Sequence, residues 1–422
     1  VSGLNESRLK SHSLSMSFVK IIIIVLFINA LFSGVDFSQL GLPKGFSSIL
    51  DFLLKFVLVF LLTIFYKIKN KHVIFLVGMV FIFSFGTLIG GYYQFSVYDK
   101  SLSLILNLLL WMVIFLYTPI IERKYCITDT IIKFTVLVAF LSILLYALAF
   151  LGYNTKFLDS AWLYDQNFRF SSTFNEPSLS GYFYGLMFLI SLYSNYNYKN
   201  WFVFLFGVAV VLSGAKFTLI IIPALLILHV LFKFKGFGNG LYILIIVAMF
   251  SVYLSLALFY PYVFEFISSH TNESETVTYV TRFGFPVSSI YHSLDYPFGS
   301  GLYGFKVTLK PYIEQYCSSI SKINVSCSEL LSYINQYDIV AQESYAPKDV
   351  FSFVILSYGI PGLVFFIVSS MFFANLFKNN RNLYIIYLYI LSSMLFVLPF
   401  RFILFFSIFI FLCFICRSKR IV

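Results

Sequence analysis

The sequence predicts an all-α polytopic membrane protein, with about twelve transmembrane helices and one large outer-side loop. Three observations predict it. Of 422 residues, 60% are hydrophobic and only 11% charged, whereas a soluble domain carries roughly a quarter charged residues. The mean hydropathy is +0.89. Apolar runs of helical length recur along the chain and are separated by short polar stretches. Together these exclude a water-soluble enzyme, a disordered chain and a nucleic-acid-binding domain. The net charge of +11 reads instead as the Lys and Arg excess of cytoplasmic loops.

The apolar runs predict helices over Phe18–Ser33, Ile49–Tyr66, Val73–Gly90, Leu102–Ile121, Thr130–Leu151, Pro177–Ser194, Trp201–Leu212, Phe217–Phe232, Leu241–Tyr260, Val350–Leu376, Leu383–Leu398 and Phe402–Cys416. Residues 1–260 thus hold the first nine helices, 261–348 form the large loop and 349–422 hold the last three. The seventh and eighth runs are short and can be read as one unit broken around Ser213, Gly214, Ala215 and Lys216. The stretch before Phe18 is polar. A non-Met start codon and initiation at Met16 both account for Val1. The first run has a poor cleavage site after it and reads as a helix, not a signal peptide.

Basic residues set the orientation. Alternate loops hold Arg8, Lys10 and Lys20; Lys67, Lys69 and Lys71; Arg123 and Lys124; Lys199; Lys233 and Lys235; Lys378 and Arg381; and Arg417, Lys419 and Arg420. The opposite short loops hold Lys44, Lys100, Lys156, Arg169, Lys216 and Arg401. The first set is expected to be cytoplasmic, with both termini inside and Pro261–Lys348 outside. That loop is polar and Tyr-rich, with Tyr279, Tyr291, Tyr296, Tyr303, Tyr312 and Tyr316 suited to sugar stacking or to an aromatic interface belt. In an oxidising outer compartment, Cys317 and Cys327 are expected to form a disulfide.

Four segments could carry chemistry. The first runs from Arg169 through Asn175, Glu176 and Pro177 to Phe183. Pro177 suits the first turn of a helix, and capping accounts for Asn175 and Glu176 but not for Arg169, whose fork grips phosphate or carboxylate. The second is Ser213-Gly214-Ala215-Lys216-Phe217-Thr218, where a lysine between apolar segments must reach water or a partner. The third is Arg282, followed by Pro297 to Gly304 with Gly299, Gly301 and Gly304. Its glycines form either a tight turn or a place where backbone N–H groups meet an anion. The fourth is Asp349, a helix cap or a base, ahead of Gly359, Pro361 and Gly362. No histidine shows metal spacing, and only His292 lies among the candidates. Asp36 stands alone in the first outer loop, so no metal site and no cofactor are expected.

In this order the four segments resemble the O-antigen polymerase (Wzy-type) family, part of a wider group that includes the O-antigen ligases. The layout is similar as well: about twelve helices, with one large periplasmic loop before the last three. Two positions depart from the group's patterns. Lys348-Asp349 stands where ligases commonly carry His-Asn, and Ala215-Lys216 stands where Ser-Arg is common.

The resemblance implies a metal-independent glycosyltransferase of lipopolysaccharide biosynthesis in the bacterial inner membrane. It would transfer a growing polysaccharide from undecaprenyl diphosphate onto a new lipid-linked oligosaccharide repeat unit at the periplasmic face. Membrane lipid and a polysaccharide chain-length regulator are the implied partners, and nucleic acid is not. A diphosphate leaving group needs cations, for which Arg169, Lys216, Arg282 and Arg401 are expected to converge. A sugar hydroxyl needs a base, for which Asp349, Glu176 and His292 are the candidates. Gly299, Gly301 and Gly304 would form the substrate loop. The competing expectations are an O-antigen ligase and a flippase for the same lipid. A flippase needs ionisable residues within its helices, and Lys133 is the main candidate.

Overall fold

The computed structural model describes residues 18–29, 46–66, 70–93, 98–151, 169–172, 174, 176–232, 240–259, 262, 273–321, 326–328, 330–331, 347, 349–377, 379–396, 398 and 402–418. Among these the chain is helical. The helices are α1 (Phe18–Asn29), α2 (Phe46–Phe65), α3 (Asn70–Tyr93), α4 (Tyr98–Tyr125), α5 (Ile127–Phe150), α6 (Pro177–Leu192), α7 (Lys199–Ser213), α8 (Lys216–Leu231) and α9 (Gly240–Leu258). They continue as α10 (Glu273–Asp295), α11 (Phe305–Thr308), α12 (Lys310–Ser321), α13 (Val350–Phe377), α14 (Arg381–Phe396) and α15 (Phe402–Ser418). Each of the twelve apolar runs contains a helix among the described residues. Leu102–Tyr125, Ile127–Phe150 and Val350–Phe377 are long and apolar enough to cross a membrane. Large apolar side chains such as Phe140, Leu141 and Phe365 stand exposed on them, as lipid-facing residues would.

The chain forms two compact units, 1–78 with 106–224 and 402–422, and 79–105 with 225–401. In the first, α6 packs on α7, α7 on α5, and α15 on both α5 and α6. Between lipid-immersed helices burial from water contributes little, so close packing must supply the association. Aromatic rings do so here. Phe27 of α1 lies 5.0 Å from Phe406 of α15 and 5.8 Å from Phe134 of α5. Trp111 of α4 stacks 6.1 Å from Phe405. Polar ends are tied off locally. Glu122, 1% exposed, accepts the N–H of Thr128 at 3.0 Å, which caps the start of α5. Arg417 pairs with Asp129, and Tyr196 bonds to the same carboxylate.

In the second unit, α13 packs on α9, α10 and α14, and α10 on α12. The segment read from the sequence as one large polar, Tyr-rich loop contains α10, α11 and α12. The helix α12 buries one stripe, Ile313, Tyr316, Cys317 and Ile320, whereas α10 is buried all round from Gly284 to Ser289 with Pro286, Ser288 and Ser289 among those residues. A search for uninterrupted apolar runs passes over such an element. Cys317 and Cys327 are joined, with Cα atoms 5.6 Å apart.

Helix α13 is broken at Gly359, whose φ of 60° and ψ of −141° are not helical. Pro361 has no N–H to give Ser357, and the break turns the N–H of Ile360 away from Leu356. The loop after α10 fills both vacancies. Ser300 donates to the Leu356 carbonyl at 2.9 Å, and Gly301 to the Ser357 carbonyl at 3.0 Å. Ile360 donates to the Pro297 carbonyl at 2.8 Å. A Cβ on Gly359 would collide with the Pro297 carbonyl and the Gly299 N–H. Gly359→Ala therefore adds about 1–3 kcal/mol of backbone strain and displaces the loop. In detergent it is expected to lower the melting temperature by several degrees and to speed proteolysis between Pro297 and Gly304. Unchanged melting and cleavage would refute this role for Gly359.

Candidate functional site

In the first unit, two of the sequence-marked segments meet. Gly181, in the first turns of α6, lies so close to the α7–α8 turn that a Cβ there would overlap Ala215 and the Ser213 hydroxyl. The segment leading into α6 is pinned to the same turn by the Phe170 N–H, which donates to Leu212 at 3.1 Å. The stem of Arg169 lies beside Gly214, within 3.5 Å of where a Cβ would stand. Gly214 has a φ of 56° and closes α7, and α8 begins at Lys216. Arg169 and Lys216 are thus held at one helix–helix turn, and both are exposed.

Deeper contacts fix this arrangement. The Ser172 hydroxyl lies 2.8 Å from that of Tyr184 and donates to Ser142 at 3.0 Å. Phe170 sits between Tyr146 at 5.5 Å and Tyr184 at 6.2 Å. Glu176 occupies the N-cap position of α6 with Pro177 after it, but its side chain makes no cap bond. It is exposed and accepts from the Ser178 hydroxyl at 3.2 Å. The result is two cations and one carboxylate near the N-termini of two helices, where partial positive charge favours an anion. Asn175 and Arg401 lie outside the described residues.

Arg282 belongs to the second unit, half-buried on α10. Asp349 belongs there too and is 1% exposed. It caps α13: one carboxylate oxygen accepts the Ser352 N–H at 2.6 Å and the other the Ser352 hydroxyl at 2.8 Å. Burial raises its pKa from the ordinary 3.8 to about 7, against the lowering effect of the Ser352 bonds. Each oxygen thus accepts one bond from Ser352.

His292 is fully buried. Its Nε2 lies 2.8 Å from the Thr308 hydroxyl, and its ring stacks 4.5 Å from Tyr296. Burial lowers its pKa to about 4, although Asp295 nearby acts in the opposite sense. It is a neutral packing centre of the loop. The glycine cluster also differs from one of its expected roles. The Gly299, Gly301 and Gly304 amides donate to the carbonyls of Tyr296, Ser357 and Gly301. They hold the loop and are not turned toward an anion.

Sequence reasoning passed over one constellation. Lys133 is exposed, whereas Lys55 in α2 is 1% exposed and Asp51 9%. They form an ion pair one helical turn apart. Lys55 also donates to the Asn107 side chain of α4, and its ammonium lies 5.4 Å from the centre of the Trp111 ring. The signal was present as an acid–base pair four residues apart inside an apolar run. Among the described residues no group of His, Cys, Asp and Glu could hold a metal ion. The chain matches no protein-family model, no curated protein and no solved structure.

Asp349 and His292 act on stability in opposite directions. The raised Asp349 pKa means that stability from this group is present below about pH 4 and is lost as pH rises toward 7. The lowered His292 pKa means that stability is lost as pH falls from about 6.5 to about 4. Asp349→Asn keeps a capping side chain and removes the first dependence. Its melting temperature in detergent is expected to rise from pH 4 to 6.5 more steeply than that of the wild type. Parallel profiles would refute the burial of an ionisable carboxyl at this cap.

Proposed function

We propose that the protein is an O-antigen polymerase. It joins undecaprenyl-diphosphate-linked repeat units into polysaccharide at the periplasmic face of the bacterial inner membrane. The twelve apolar helices span that membrane, both termini are cytoplasmic and the 261–348 segment is periplasmic. The observation that carries this reading is the packing of Gly181 on Ser213 and Ala215. It joins two motif segments distant in sequence and sets Arg169 and Lys216 at one turn, on the side where basic residues are scarce.

The chemistry follows from charge. As the sugar–diphosphate bond breaks, negative charge grows on the leaving oxygen, and fixed cations lower that barrier. Arg169 supplies a bidentate fork and Lys216 a point charge. The helix N-termini at Pro177 and Lys216 add to the positive field. The attacking sugar hydroxyl must also lose a proton to a carboxylate.

A second reading is a flippase for the same lipid. The Asp51–Lys55 pair favours it, because transport paths place ionisable residues inside helices. Gene deletion separates the two. Lipopolysaccharide that loses its ladder but keeps a single repeat unit is the outcome expected of a polymerase, and loss of every repeat unit that of a flippase or ligase.

In the deletion strain, Arg169→Ala is expected to restore no ladder at normal protein level, and Arg169→Lys only a weak one. A full ladder from Arg169→Ala would remove Arg169 from the reaction. Arg282→Ala is expected to lose the ladder as well. A reporter fused at Ser318 is expected to show a periplasmic signal, and a cytoplasmic signal there would overturn the topology.

A further inference from the structure

The Asp51–Lys55 pair has a place in the proposed reaction. Asp51 lies about 8 Å along α2 from its first residue, Phe46, at 1.5 Å per residue. In the expected orientation that is the periplasmic end, and the pair belongs to the same unit as Arg169 and Lys216. One carboxylate oxygen, Oδ2, pairs with Lys55. The other, Oδ1, is buried and has no hydrogen-bond partner among the described residues. Buried acceptors are nearly always paired, so an unmatched one needs a reason.

Stability does not supply it. A buried ion pair loses as much in desolvation as it gains in attraction, and apolar residues of similar volume usually replace it at no cost. The pair is nevertheless built with care, since Lys55 is held by a carboxylate, an amide oxygen and an indole face.

The other candidate carboxylates lack this combination. Asp349 has both oxygens on Ser352, Glu176 is exposed, Asp129 is tied to Arg417 and Tyr196, and Glu122 caps α5. Asp51 is buried, compensated by a fixed cation, and has an oxygen to spare.

We propose that Asp51 is the carboxylate that takes the proton of the acceptor sugar hydroxyl, with Lys55 as the residue that positions it. The proposal rests on the polymerase reading. The hydroxyl O–H bond breaks and its proton passes to Asp51 Oδ1. The oxygen forms the new bond to the anomeric carbon of the donor sugar. The bond from that carbon to the diphosphate breaks, and the lipid diphosphate departs with the electron pair. Asp51 then releases its proton to water. Lys55 holds Oδ2 and favours the ionised carboxylate that the first step requires.

Two variants of the full-length protein test this, with a lipid-diphosphate-linked repeat unit as substrate. Asp51→Asn removes the base but leaves Lys55 without its counter-charge. The double variant Asp51→Leu/Lys55→Met removes both charges and keeps the volume. The double variant is expected to accumulate in the membrane and melt at or above the wild-type temperature. Its polymerisation rate is expected to fall about a hundredfold or more, the scale of a lost general base, with donor affinity unchanged. A double variant that polymerises at the wild-type rate would assign the pair to packing and overturn the proposal. Loss of both variants from the membrane would assign the pair to folding, with the same result. If the wild-type chain itself makes no polymer in this assay, the polymerase reading fails first and takes this proposal with it.

Discussion

A backbone immersed in lipid must satisfy its own N–H and C=O groups, because no water is there to do it. The second unit is organised by one exception to the continuous helix that this rule favours. At Gly359 two carbonyls lose their donors and one N–H loses its acceptor, and the Pro297–Gly301 backbone replaces all three. The 297–301 segment is thereby stitched into α13. His292, one turn of α10 before this loop, and Asp349, at the start of α13, sit on the two strands of chain that the stitch joins. Leu302 extends it to α3 by donating to the Gly86 carbonyl at 2.9 Å.

The first unit meets the same constraint differently. Its helix–helix turn at Gly214 ends α7 with a positive φ, and the polar groups left there meet the chain that leads into α6. Gly181 makes this possible because any side chain would hold the two apart. Small residues thus set the approach, and the long cations Arg169 and Lys216 follow from it. Buried ionisable groups, by contrast, are compensated where they stand, Asp51 by Lys55 and Glu122 by the Thr128 amide. Arg169 and Lys216 at the α7–α8 turn are exposed instead.

Much of this was legible in the sequence, for physical reasons. A helix in an apolar setting needs an unbroken apolar run, and each of the twelve runs holds a helix among the described residues. The α10–α12 segment was not legible, since α12 is buried on one stripe and polar elsewhere and the buried stretch of α10 is interrupted by Gly284, Pro286, Ser288 and Ser289, so neither leaves such a run. The Arg169 and Lys216 segments were marked by charge in apolar surroundings, but nothing in their separation of 47 positions showed that they meet. Tertiary packing at Gly181 decides that. The glycines at 299, 301 and 304 announced a close backbone approach correctly in kind. The approaching partner is a broken helix and not an anion, and only the geometry at Gly359 distinguishes the two. Asp51 and Lys55 were hidden because a pair of opposite charges hardly alters the hydropathy of a 20-residue helix.

The two units differ in how their ionisable groups are placed. In the second, Asp349 and His292 are enclosed: each Asp349 oxygen accepts from Ser352, and His292 Nε2 meets the Thr308 hydroxyl while its Nδ1 has no partner among the described residues. The Asp349 cap is worth about 1 kcal/mol to the helix it begins. A buried neutral imidazole between two tyrosine rings is likewise better placed to hold the loop than to shuttle protons. The first unit exposes Arg169 and Lys216 and buries Asp51, whose Oδ1 is unmatched among the described residues. Charge that is already fixed and needs no reorganisation is what a reaction expelling a diphosphate can use. The stitched second unit then carries a structural burden, and its glycines bear more of that burden than its acids.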